Sequence, residues 1–326
     1  MEQPLPPNGA CLLGSFNLVK YVVFEDEGTR SFDYPQLLKD IPHVVRAMDN
    51  IHDNTLFPLE EQAEESRQKR RMGLGVTGLA NAIEALGFSY GSERFLEVAE
   101  EIFTHIRNEV YRASVQLAAE KGAFPALDKE KYLKSPFIQR LPEVIQEGIR
   151  NYGIRNSHLL SFAPTGTISL TADNVSGGIE PVFSHEFDRT IQTEEGPVVE
   201  RVQDYAVREF GIYGKKAAEC TADDHLNVLA LATKYVDSAV SKTINVDPSM
   251  PWEEFKGIYV KAWEMGCKGA TTFNSGGKRY GILNDTAAEE KEESKVEHAI
   301  EEANAEAEEA VKACFIDPAT GQKECS

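Results

Sequence analysis

Three short stretches carry residue types able to do chemistry. Glu2 and Cys11 stand in a start that holds no other charge, MEQPLPPNGACLLGSFNL. A carboxylate can move protons and a thiol can exchange electrons. A terminal Glu is also often frayed and a lone Cys is often a small core residue, and spacing alone leaves both readings open. The second stretch is Ala163-Pro164-Thr165-Gly166-Thr167-Ile168-Ser169, directly after the apolar run Leu159–Ala163. A strand, a Pro/Gly loop and a helix start would aim backbone N–H groups and hydroxyls at one point, which suits an anion such as phosphate without Lys or Arg. An ordinary capped helix start uses the same residue types. The third stretch, Ala313–Ser326, carries Cys314 and Cys325 around the turn signals Asp317-Pro318 and Thr320-Gly321.

Other patterns exclude more than they suggest. Gly73-Leu74-Gly75-Val76-Thr77-Gly78 is a literal G-x-G-x-x-G, but polar, helix-like Glu60–Arg71 precedes it where a dinucleotide site needs a strand. Close packing at a helix start is the expected role. The seven His are scattered, and neither H-E-x-x-H nor C-x-x-C occurs, so no metal held by this chain is expected. Cys220 and Cys267 read as structural. A net charge of −19 argues against binding nucleic acid or an anionic membrane surface. No apolar run approaches the roughly 20 residues that span a bilayer, and no signal peptide is visible. Five scattered cysteines suit a reducing cytoplasm, where paired thiols are more often redox-catalytic than structural.

The elements that must position these groups alternate between helix and strand, which implies a parallel α/β layer. Ser15–Phe24 reads as a strand. Ser92–Lys121 reads as one long helix, capped by Ser92, ended by Gly122, with Phe95, Ala99, Ile102, Phe103, Ile106 and Val110 on one face. Asp224–Thr243 and Pro251–Met265 read as further helices, and Ser157–Ala163 and Lys268–Phe273 as short extended runs. Residues 1–285 form the body. Within 286–312, the stretch 287–312 holds ten Glu and three Lys with no stripe to bury, a solvated tether. Residues 313–326 form the tail.

Taken together, Glu2–Leu18, Arg71–Ala80, Ala163–Phe183, Asp237–Val246 and Gly266–Phe273 resemble, in order, the catalytic subunit of ribonucleotide reductases, in particular the adenosylcobalamin-dependent class. The resemblance implies the second half of a ten-stranded α/β barrel with helices outside and a flexible C-terminal tail. The family's finger loop reads Asn-Pro-Cys-Gly-Glu-Gln-Pro-Leu-Pro; here Met1 takes the Gly place and Glu2-Gln3-Pro4-Leu5-Pro6 follows. The loop's thiyl-radical Cys would then fall upstream, so the resemblance implies an N-terminal partner piece of the same reductase. A non-catalytic remnant or scaffold fragment is the alternative.

The resemblance also implies roles. Glu2 matches the carboxylate that draws the ribose 3′-hydroxyl proton. Cys11 matches one of two reducing cysteines, and Cys314 and Cys325 a tail dithiol that regenerates it for a thioredoxin-like or glutaredoxin-like reductant. Pro164, Thr165, Gly166, Thr167, Ile168 and Ser169 match the loop holding the substrate phosphates, with the Thr165, Thr167 and Ser169 hydroxyls as donors. Thr271-Thr272 stand where the di-metal-dependent class has a redox-active tyrosine pair, so adenosylcobalamin is the implied cofactor of the assembled enzyme.

Overall fold

The computed structural model describes residues 2–25, 28–193, 196–274, 284–285, 314–316 and 323–325. In chain order the elements are β1 (Leu12–Asn17), β2 (Val22–Phe24), β3 (Arg30–Phe32), α1 (Tyr34–Asn54), α2 (Glu60–Lys69), β4 (Met72–Thr77), α3 (Leu79–Ala85), α4 (Glu93–Lys121), α5 (Lys129–Leu133), α6 (Pro136–Gln139), α7 (Glu143–Tyr152), α8 (Ile168–Thr171), β5 (Glu186–Thr193), β6 (Gly196–Gln203), α9 (Ala222–Lys234), β7 (Thr243–Val246), α10 (Trp252–Glu264), β8 (Thr271–Asn274), β9 (Asn284–Asp285), β10 (Cys314–Ile316) and β11 (Lys323–Cys325). They form two compact units, Met1–His185 with Gln203–Tyr280, and Glu186–Val202 with Gly281–Ser326.

The first unit holds an α/β layer of parallel neighbours and, apart from it, an antiparallel pair of β2 and β3. β1 pairs with β4 from Leu12 opposite Met72 to Asn17 opposite Thr77. Single parallel bridges then join Leu74 to Leu160 and Phe162 to Val240. β7 pairs in parallel with β8, Thr243 opposite Thr271. Parallel neighbours need long crossovers, and helices supply each one. Among the described residues this sheet does not close on itself.

Alternation gives the sheet two unlike faces. Met72, Leu74 and Val76 of β4 are fully buried, Phe162 packs its ring 4.9 Å from Phe103 of α4, and Ile244 and Val246 bury against Leu226, Ile258 and Ala262 of α9 and α10. That face faces the helices. The opposite face carries Cys11, Leu13, Ser15 and Asn17, then Gly73, Gly75 and Thr77, then Ser161, and then Thr243, Asn245, Thr271 and Phe273. This second face is mostly small and polar, Leu13 and Phe273 apart, and over β4 it is buried, with Ser161, Phe162 and Gln3 packed close above Gly73 and Gly75.

The long helix forms as its spacing predicts. The Ser92 hydroxyl accepts from the Phe95 N–H, Gly122 ends α4 at φ +86°, and all six named face residues are buried. Burying a large apolar side chain stabilises by about 1.5–3 kcal/mol, so this face alone holds α4 on the sheet. Two expectations need correction. Ser15–Phe24 is not one strand: a 3-10 turn at Leu18–Tyr21 separates β1 from β2. Its buried Leu18 and Val19 turn into the core, which an unbroken strand could not achieve. Asp224–Thr243 is not one helix: α9 stops at Lys234, and Thr243 opens β7. The cause lies at Asp237, whose carboxylate accepts the Leu159 and Leu160 N–H groups at 2.7 and 3.1 Å and the Tyr111 hydroxyl at 2.7 Å. Those bonds clamp the chain beside the 159–162 segment.

The glycine run lies inside β4, not at a helix start, and only Gly78 precedes a helix, at φ +72°. A Cβ on Gly75 would lie 2.6 Å from the Ser161 carbonyl oxygen. The glycines therefore serve close strand approach, in keeping with a packing role rather than a dinucleotide one.

In the second unit the sheet order is β6-β5-β9, with β9 antiparallel to β5. β10 and β11 pair antiparallel with Cys314 opposite Cys325. The tether at 286–312 lies outside the described residues.

Candidate active site

The start of the chain lies against the polar face. The Glu2 carbonyl accepts the Ala239 N–H at 2.9 Å. The Gln3 amide nitrogen reaches the space above Gly73, where an added Cβ would meet it at 2.6 Å. A turn closed by the Gly9 N–H to the Pro6 carbonyl, 2.9 Å, with Asn8 at φ +57°, returns the chain into β1. Cys11 follows immediately, on the same face as Leu13.

Glu2 and Cys11 share one electrostatic environment. Burial pushes the Cys11 thiol up to about 12; the Arg71 charge opposes this, and the charges of Asp237 and Glu2 add to it. At neutral pH Cys11 is thus a protonated thiol, which keeps its hydrogen and electrons until a reaction draws them. It is a free cysteine, as are Cys220 and Cys267. Among the described residues no group of three or more His, Cys, Asp and Glu is placed to hold a metal ion.

The Pro164–Ser169 loop sits beyond the C-terminal end of the 159–162 segment, beside the end of β4. Thr165 has φ +50°, a conformation that costs a β-branched residue and persists only when its surroundings fix it. Its surroundings do fix it. The Thr165 hydroxyl accepts the Gly178 N–H at 2.6 Å and lies 2.9 Å from the Thr77 hydroxyl. Gly177 and Gly178 let their backbone approach the Pro164 and Ala163 carbonyl oxygens, to 2.8 and 2.6 Å from where a Cβ would stand. The Ser169 hydroxyl donates to the Gly166 carbonyl at 3.3 Å. Thr165 and Ser169 are both buried, and their hydroxyls are engaged by protein partners. Gly166, Thr167 and Ile168 form the exposed tip, and among the described residues the Gly166 and Thr167 amides meet no protein acceptor. The expected helix start is a single turn, Ile168–Thr171.

The comparisons with known proteins bear on this arrangement. Residues 1–273 match the family model described as ribonucleotide reductase, barrel domain. The chain belongs to that ribonucleotide reductase family. A vitamin B12-dependent ribonucleoside-diphosphate reductase of Mycobacterium tuberculosis is 32% identical over 88% of this chain and 42% of its own length. One of Thermoplasma acidophilum is 33% identical over 89% of this chain and 39% of its own. A ribonucleoside-diphosphate reductase subunit alpha of Treponema pallidum is 25% identical over 72% of the chain. The chain thus spans about two-fifths of the length of the first two relatives.

Three residues beside the candidate site escape a reading of the sequence. Thr77, inside the glycine-run motif, props the strained Thr165. Asp237 ties two parallel segments together and contributes to the field at Cys11. Asn17 ends β1 with its amide nitrogen 3.4 Å from the Ala172 carbonyl and its Oδ1 buried without a protein partner. Each is one polar residue among many, and only its partners in the fold single it out. No described helix is long and apolar enough to cross a membrane.

Proposed function

We propose that this chain supplies the second half of a ten-stranded reductase barrel. Assembled with the piece that carries the thiyl-radical cysteine, it converts ribonucleotides to deoxyribonucleotides. The observation that carries the reading is the start of the chain lying against the polar sheet face, with the Glu2 charge acting on the Cys11 thiol and the exposed Gly166–Ile168 tip beyond the strand ends. Substrate phosphates bind the tip amides of Gly166, Thr167 and Ile168 and the Thr167 hydroxyl. Thr165 and Ser169 hold the loop's shape, and Pro164 sets its entry.

In this reading Glu2 accepts the 3′-hydroxyl proton while the 2′-hydroxyl leaves as water. Cys11 and a cysteine on the partner piece supply two electrons and two protons and become a disulfide, so ribonucleotide plus dithiol gives deoxyribonucleotide, disulfide and water. Cys314 and Cys325 then restore the dithiol by thiol–disulfide exchange, and a thioredoxin-like or glutaredoxin-like protein reduces them. Their register supports a pair that can close: residues directly opposite in an antiparallel ladder have Cα atoms about 4.5–5.5 Å apart, inside the disulfide range. Adenosylcobalamin supplies a carbon-centred radical when bound to the assembled enzyme. Thr271 and Thr272 of β8 fit such an in-place source, because threonine cannot relay a radical.

The test is co-expression with the upstream piece. The expected result is a 1:1 complex that forms deoxyribonucleotide only with adenosylcobalamin and dithiol. A stable complex inactive on both ribonucleoside diphosphates and triphosphates would overturn the proposal.

A further inference from the structure

Two adjacent arginines are buried to the same degree and treated differently. Arg70 and Arg71 are 5% and 7% exposed. Arg70 is fully paired, with Asp49 at 2.9 Å, Asp53 at 2.7 Å and the Asp49 carbonyl at 2.8 Å. Arg71 has, among the described residues, no carboxylate within 4.0 Å, and its guanidinium reaches only the neutral Gln3 side-chain oxygen, at 3.5 Å. Arg71 thus lacks a close counter-ion, with the charges of Asp237 and Glu65 acting on it only from farther off, so an anion brought to its guanidinium would be favoured. Burial accordingly pulls the Arg71 pKa below its ordinary value.

Arg71 lines a cavity of about 450 Å³ together with Lys69, Ser157, His158 and Tyr132, and Pro4–Pro6 form one wall. The size fits a small ligand. Lys69 stands at the rim, held 2.6 Å from Glu65. His158 is oriented by the Ser157 hydroxyl, 3.1 Å from its Nδ1. Arg71 and His158 stand just before the parallel segments that begin at Met72 and Leu159, so the cavity lies at the N-terminal strand ends. The Pro164–Ser169 loop lies at the other end. Six residues of strand separate the two ends by about 20 Å.

We infer that this cavity is a second anion site, built to take the phosphate of a small organic phosphate on Arg71, with Lys69 and His158 beside it. A planar guanidinium suits a phosphate, Lys69 would have to be shared between it and Glu65, and the ring of Tyr132 and the prolines suit a carbon skeleton. The site is separate from the loop proposed for substrate phosphates and stands whether or not that proposal holds.

Calorimetric titration of the full chain with inorganic pyrophosphate tests the inference, using Arg71→Met, Arg71→Lys and, for the other loop, Gly166→Val. Arg71→Met is expected to weaken one binding event tenfold or more, Arg71→Lys to restore part of it, and Gly166→Val to leave it intact. A folded Arg71→Met protein with wild-type binding overturns the inference, as does a binding event abolished by Gly166→Val. Should Arg71→Met fail to fold, the His158 ring resonances of the wild-type chain decide: they are expected to shift with pyrophosphate, and no shift at saturation overturns the inference. Ribose 5-phosphate binding more tightly than inorganic phosphate supports an organic ligand; equal binding overturns that part.

Discussion

Gly73→Ala separates position from stability. Gly73 lies on the polar face, and a Cβ there would press on the Ser161 hydroxyl, and would stand 2.6 Å from the Gln3 amide nitrogen and 2.8 Å from Leu13 Cδ2. Ordinary contact begins near 3.4 Å, so these side-chain ends must retreat by up to about 1 Å. Gln3 gives way readily: among the described residues its amide nitrogen has no hydrogen-bond partner, and its oxygen meets Arg71 only at 3.5 Å. The prediction is that the main chain at Gln3 follows and displaces Glu2 against its Ala239 hydrogen bond. Overpacking costs about 1–3 kcal/mol, and yielding side-chain ends put Gly73→Ala at the low end. A displacement of about 1 Å at a reacting group costs about 100-fold in rate. Gly75→Ala is the counterpart: its Cβ would meet the Ser161 carbonyl oxygen at 2.6 Å and the Phe162 Cα at 3.2 Å, so backbone must move and about 3 kcal/mol is expected. Urea denaturation of the chain and deoxyribonucleotide formation by the assembled enzyme read the two effects. Gly73→Ala should lose turnover with little loss of stability. Wild-type turnover in a stable Gly73→Ala enzyme would refute the placement of Gln3 and Glu2 over β4.

Three further outcomes are expected. Lys242 is wholly buried 2.5 Å from Glu180, which also accepts the Thr243 N–H at 2.6 Å; Glu180→Ala should therefore destabilise by about 3–5 kcal/mol, measured by denaturant unfolding. Glu84 is raised to about 7 chiefly by burial, so the folded state keeps a proton that the unfolded chain releases. Stability should then fall by about 3 kcal/mol as pH rises from about 4.5 through 7, and Glu84→Gln should flatten that slope in urea melts across this range. A Cβ placed on Gly166 would meet nothing within 4 Å, and its φ is not positive, so Gly166→Val should fold normally yet raise KM at least tenfold by blocking approach to the loop tip; an unchanged KM would remove that loop from the substrate site.

Strong periodicity made α4 legible, since six apolar residues at helical spacing and caps at both ends agree on one answer. The Pro164–Ser169 loop is legible as a turn after an extended run, but the partners of its hydroxyls are not. Whether a threonine hydroxyl faces a ligand or the protein depends on partners distant in sequence, here Thr77 and Gly178. The ends of α9 and β1 are hidden for a related reason. Asp237 stops extension of the helix by bonding to backbone N–H groups 77 and 78 residues away, and local propensity carries no trace of that. Arg71 was invisible as a site because an arginine among many looks solvated until its neighbours are known.

The most direct measurement is the structure of the assembled enzyme with a bound ribonucleotide. The expected result places the phosphates at the Gly166–Ile168 amides and the ribose on the Glu2 side of the loop, over the β4 face. Phosphates elsewhere, or Glu2 turned away from the ribose toward bulk water, would contradict the central claim.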